Sequence, residues 1–155
     1  EFDLRDFMNI EQHMSRTGVV IFDDMIPRNS VEAFRIRRTS GWPGDVNKVH
    51  QILQHYRPDL TLVPIKTNPT SSYRVVGIDP ASSVLDDHLE EIETTLASPD
   101  PQVVPTDWLE RRAAVDAGRV LQLDIWKRLV DLRETNPRQE QLPPLWDQLR
   151  SLPTV

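Results

Sequence analysis

Val19-Val20-Ile21-Phe22-Asp23-Asp24-Met25 is a run of four apolar residues that stops at two acids. An unbroken apolar run of this length reads as a strand buried on both faces, the kind found in parallel sheets covered by helices. It is far short of the roughly 20 apolar residues a membrane-spanning helix needs. Upstream, Leu4, Phe7, Ile10 and Met14 recur at steps of three, three and four, which predicts a helix over residues 2–14 with those four on one face. Arg16-Thr17-Gly18 breaks that helix. Downstream, the capping pattern Asn29 to Glu32 predicts a short helix to about Arg38. Gly41 to Gly44 is a turn, and Asp45 is positioned to cap a further helix on which Val46, Val49 and Leu53 share one side.

Leu60–Ile65 and Tyr73–Ile78 are strand candidates, close enough across a polar loop at Asn68-Pro69-Thr70 to pair antiparallel. Helix, strand, helix, strand in this order argues an α/β fold. Leu85, Leu89, Ile92 and Leu96 predict one helix over 84–96, whose other face carries Asp86, Asp87, Glu90, Glu91 and Glu93; a solvated face accounts for that charge. Pro99, Pro101 and Pro105 mark a proline-rich linker over 97–106. Residues 107–155 read as a helical C-terminal extension, with segments near 107–116 and 119–134. A short last helix follows at Pro143-Pro144 and Trp146, packed back on the body.

Composition narrows the function. The 155 residues suit one domain, and 24 acids against 18 bases give a net charge of -6, which does not favour a nucleic-acid partner. There is no cysteine, so disulfides, thiolate metal sites and cysteine nucleophiles are excluded. No glycine-rich nucleotide loop occurs. The opening residues lack the basic region and apolar core of a signal peptide, and a soluble cytoplasmic domain with no membrane partner is expected. The absence of an initiator Met, with residue 1 already helical, suggests a piece of a longer protein.

Asp23 and Asp24 are the sharpest chemical feature. In open α/β sheets ligands bind beyond the carboxyl ends of strands, where this pair falls. Two adjacent carboxylates repel, and a hard cation such as Mg²⁺ would compensate them. The plainer alternative is that one caps a turn and the other faces water. In W-P-G-D-V-N-K-V, residues 42–49, Trp42 is a candidate substrate wall and Lys48 a candidate positive contact; alternatively Trp42 anchors the core and Asp45 only caps a helix. His13, His50, His55 and His88 show no ligand spacing, so a histidine metal site and a Ser-His-Asp triad lack support. Arg35, Arg37 and Arg38 form the densest basic cluster, a solvated face or a phosphate clamp.

Taken in order, G-V-V-I-F-D-D-M-I-P-R-N, W-P-G-D-V-N-K-V, R-P-D-L-T-L-V-P and Y-R-V-V-G-I-D-P resemble the C-terminal half of class I S-adenosylmethionine-dependent methyltransferases. The resemblance covers residues 1–96 and the tail only loosely. It implies the C-terminal half of a Rossmann-like, seven-stranded, mostly parallel sheet whose last strand is reversed. Residues 19–22 would be the fifth strand, 60–65 the sixth and 73–78 the reversed seventh. In the metal-dependent O-methyltransferase branches, acids at the end of the fifth strand help bind Mg²⁺, and Asp23 and Asp24 match that position. The resemblance further implies that the cofactor-binding loop, the ribose-binding acid and a metal-binding Asp after the fourth strand lie upstream of residue 1.

The expectation is therefore the C-terminal portion of a methyltransferase, acting on oxygen in a small hydroxylated molecule or sugar with divalent metal assistance. No cofactor-binding residue is expected in this chain. An open strand edge would be completed by the missing N-terminal half or by another copy in a homo-oligomer. Two rivals are a metal-dependent, glycosyltransferase-like transferase, where the acid pair grips a diphosphate through the ion, and a non-catalytic remnant or partner subunit.

Overall fold

The computed structural model describes residues 2–135, 137 and 139–154. Helix α1 (Phe2–Glu11) leads into strand β1 (Val20–Ile26), helix α2 (Asn47–Tyr56) and strands β2 (Thr61–Lys66) and β3 (Ser71–Val76). Then come α3 (Val84–Asp87), α4 (Leu89–Leu96), α5 (Thr106–Leu109), β4 (Val115–Asp116), α6 (Ala117–Leu121), α7 (Ile125–Arg133), a 3-10 turn (Gln139–Gln141) and α8 (Pro143–Arg150). The fold is α/β, with a four-stranded mixed sheet in the order β1-β3-β2-β4. β3 is antiparallel to both β1 and β2, so those two point the same way with a reversed strand between them. β4 adds in parallel to the outer edge of β2.

Side chains alternate across the sheet and divide it into two apolar faces. One presents Val20, Phe22, Tyr73 and Val75 to Leu4 and Phe7 of α1, Ile52 and Leu53 of α2, and Ile92 of α4. The other presents Val63, Ile65, Val76 and Val115 to Val120, Ile125, Leu129, Leu145 and Trp146 of the last three helices. The expected antiparallel pairing of the second and third strands is present, from Thr61↔Val76 to Lys66↔Ser71. So is the last helix, whose Pro143 and Pro144 start it and whose Trp146 is buried.

Several expectations are corrected. The Val19–Phe22 run is not buried on both faces, and its one sheet neighbour is antiparallel. Val20 and Phe22 point into the core, but Ile21 is 62% exposed. The helices of the second face cover β2 and β3 and leave that face of β1 open. In α1 the inward positions are Leu4, Phe7, Met8 and Glu11, while Ile10 is 44% exposed. Glu11 takes the inward place because a buried arginine, Arg57, meets it there.

Residues 29–38 form turns rather than a helix. The capping contacts exist: Asn29 Oδ1 accepts from the amides of Val31 and Glu32, and Glu32 accepts from the Arg28 amide at 3.0 Å. The helix does not propagate because the amides of Arg35 and Ile36 donate to the Asp100 carboxylate instead of to the preceding turn. The segment 84–96 is two helices joined at His88. The segment near 107–116 holds one helical turn and then strand β4, and 119–134 is split between α6 and α7. No helix among the described residues is long and apolar enough to cross a membrane.

Candidate functional site

β1 stays in register with β3 as far as Phe22↔Tyr73 and returns at Ile26↔Ser71, so two extra residues of β1 bulge out between them. Asp24 lies in the bulge with φ +56°, the left-handed region that Asp tolerates better than most side chains. The strand does not stop at the acids, as the apolar run predicts, but continues to Ile26; Asp23 and Asp24 lie inside β1, three and two residues before its end, where β2 also ends. Ser72 Oγ donates to Asp23 Oδ1 at 2.8 Å, and Thr70 Oγ1 donates to Asp24 Oδ1 at 2.5 Å. Thr67 joins them, sharing a hydrogen bond with Ser72 Oγ at 3.3 Å and donating to the Thr70 carbonyl.

Thr70 closes the loop before β3 and Ser72 lies on β3. The bulge is what lets consecutive aspartates meet both hydroxyls, since a regular strand would turn them to opposite faces. The result is a group of carboxylate and hydroxyl oxygens in which the two acids are exposed and Thr70 is buried. An all-oxygen donor set is of the kind a hard divalent cation takes. Among the described residues no group of three or more His, Asp or Glu side chains converges as a metal site, so the fit is to part of a ligand set. The hydroxyl residues were missed in the sequence; the polar loop before Ser71 was the available signal.

Trp42 is 42% exposed, and its indole N–H donates to the Phe34 carbonyl at 2.6 Å, which fixes the ring at the surface. A cavity of about 350 Å³ lies beside it, shared with Phe2, Arg35 and Asp45. Gly44 follows at φ +72°, a conformation that favours glycine. Trp42 is thus a surface ring and not a core anchor. No hydrogen bond, ion pair or ring contact among the described residues joins it to Asp23 or Asp24.

Lys48 has another setting. It is buried, and its ammonium donates to Asp45 Oδ2 at 3.2 Å, the Leu96 carbonyl at 3.2 Å and the Ser98 carbonyl at 3.3 Å. With its three N–H groups engaged, it ties α2 to the end of α4. Asp45 makes no side-chain cap on α2. It accepts from Arg35 at 2.8 Å and from Lys48. Burial alone would raise the Asp45 carboxyl, but the hydrogen bonds from Arg35 and Lys48 prevail and hold it below its ordinary value. The basic cluster is dispersed: Arg35 goes to Asp45 and the Leu96 carbonyl, Arg37 to the carbonyls of Thr39 and Ser40, and Arg38 stacks over the Phe34 ring.

Comparison with known proteins gives no match: no family model, no curated protein and no solved structure is similar to the chain at a significant level.

Proposed function

We propose that the chain is the C-terminal portion of an S-adenosylmethionine-dependent O-methyltransferase acting on a small hydroxylated molecule or sugar. The observation that carries the reading is the strand β3, reversed between two strands that point the same way, with Asp23 and Asp24 in a bulge within the second half of the first. A reversed strand at this point of the chain and an acidic pair on the strand before α2 are the features in keeping with the sequence resemblance, with β4 an addition to it. In this reading Asp23 and Asp24 hold Mg²⁺ or Mn²⁺ together with groups from a segment upstream of residue 1. That ion would acidify the attacking hydroxyl and align it with the methyl group. Ser72 and Thr70 keep the two carboxylates in place, and Trp42 offers a flat wall to the acceptor. Lys48 is assigned no role toward substrate, because its donors are engaged within the fold.

The test is calorimetric titration of S-adenosylmethionine into the chain and into its longest natural form. The longer form is expected to bind one equivalent and the present chain to bind weakly or not at all; failure of the longer form to bind overturns the reading. Asp23→Ala in the longer form should fold normally and lose activity together with its metal response. Full activity of the wild type in EDTA removes the metal and leaves the methyltransferase reading standing.

A further inference from the structure

The outer edge of β2 is paired by β4 only at Ile65 and Lys66. Beside the unpaired part, between α2, α5 and α8, lie two adjoining cavities of about 360 and 350 Å³ that share His50, Gln54, Leu62 and Arg150. The wall is aromatic. The rings of His50 and Tyr73 are 4.5 Å apart, those of His50 and Trp108 are 4.5 Å apart edge to face, and Tyr73 and Trp108 lie at 6.4 Å. Leu62, Pro64 and Leu149 extend the apolar surface.

The polar groups on this wall are not fully satisfied by the fold. His50 Nδ1 and Thr61 Oγ1 are buried without a hydrogen-bond partner, which is uncommon in a settled core. Among the described residues no Asp or Glu lines either cavity, and Arg150, its side chain 46% exposed, lines both. Its other contact is Asp147, at 2.7 Å. Burial holds the His50 imidazole uncharged at neutral pH, so the ring adds a polar but neutral surface. The cleft is open to solvent; aromatic walls with a few polar points are among the general marks of a small-molecule site.

We infer that this cleft binds a small planar aromatic molecule carrying an anionic group, its ring packed on Trp108, Tyr73 and His50 and its anion directed to Arg150. The flat walls select a flat ring, and the solvent-facing Arg150, with no acid among the described lining residues, selects an anion over a cation. The cleft shares no residue with the acidic pair or with the surface around Trp42, so the inference stands apart from the methyltransferase reading.

The experiment titrates naphthoate, with naphthalene methanol as its neutral counterpart, into the full chain and follows the tryptophan indole signals in proton–nitrogen correlation spectra. Saturable, one-to-one shifts at Trp108 are expected. Trp108→Ala should weaken both ligands by about tenfold, the scale of one lost aromatic contact. Arg150→Gln lies on the surface and should fold normally; it should weaken naphthoate by up to about fivefold and leave the alcohol unchanged. Absence of saturable shifts at Trp108 in the wild type, or shifts confined to Trp42, Trp126 or Trp146, overturns the site. Equal effects of Arg150→Gln on both ligands, or none on either, overturn the anionic part.

Discussion

Arg57 is 1% exposed, a rare place for a guanidinium, and the fold meets its charge on two sides. Its Nη1 and Nη2 donate to the two Glu11 oxygens at 2.7 and 2.9 Å, while Nε and Nη2 also reach Asp59. Burial works against the charged form, but the hydrogen bonds and charges of Asp59 and Glu11 outweigh it and hold the group above its ordinary value. Removing one member of such a set strands the other, so Arg57→Ala is expected to cost about 3–5 kcal/mol, read from urea unfolding. A loss below about 1 kcal/mol would mean that Glu11 finds water there. His50 makes a second residue-scale prediction. Burial between Tyr73 and Trp108 lowers its pKa from 6.5 to about 4. As pH falls through that window the unfolded chain takes up a proton that the folded chain does not, so the fold loses stability, by at most roughly 3 kcal/mol. Tyr73, pushed above its ordinary range by burial, stays neutral throughout. Glu32, Asp45 and Asp100 are held below their ordinary values and weaken the fold at lower pH still. Urea midpoints of His50→Phe should therefore be flatter than wild type between pH 6.5 and 4; an unchanged slope would assign the dependence to other groups.

Among the elements, β1 carries the clearest liability. It pairs on one side only among the described residues, and Ile21 projects from the face that the last helices leave uncovered. An edge of this kind offers unpaired backbone groups to another chain. The expectation is association at micromolar concentration, by a second copy or by an upstream segment of the protein. Ile21→Lys should shift sedimentation toward monomer without loss of stability, because Val20 and Phe22 and not Ile21 face the core. A wild type already monomeric at high concentration would remove this expectation. The same strand shows how far periodicity reaches. Its start was legible, because an apolar run is local; its end was not, because pairing with β3 resumes beyond the acids at Ile26. Its burial was not, because whether Ile21 is covered depends on where α7 comes to rest. Residues 29–38 make the complementary case: the local capping signal is correct and still yields no helix, since Asp100, remote in sequence, takes the amides.

At the scale of the molecule, residues 107–155 supply a layer of the fold. Val63, Ile65 and Val76 are at most 3% exposed, and the helices that cover them come from this segment. Burying each such side chain contributes about 1.5–3 kcal/mol. A chain stopped after Pro105 should lose cooperative unfolding and aggregate, as followed by circular dichroism and light scattering. A cooperative monomer would show the segment to be dispensable.

What the sequence determined by itself is what short-range pattern encodes: the α/β class, an antiparallel pair expected at 60–65 and 73–78 and found at 61–66 and 71–76, and the last helix with its inward Trp146. Side-chain periodicity and turn residues act over a few positions, so they can be read without a partner. Tertiary structure alone decided the pairings across distance. It set Glu11 against Arg57, buried Lys48 against Asp45 and the carbonyls of Leu96 and Ser98, and turned Asp24 through a left-handed bulge toward Thr70. It also assembled His50, Tyr73 and Trp108 from a helix, a strand and a single helical turn. Each of these depends on which side chains meet once the two faces of the sheet are covered, and no local window of sequence contains that information.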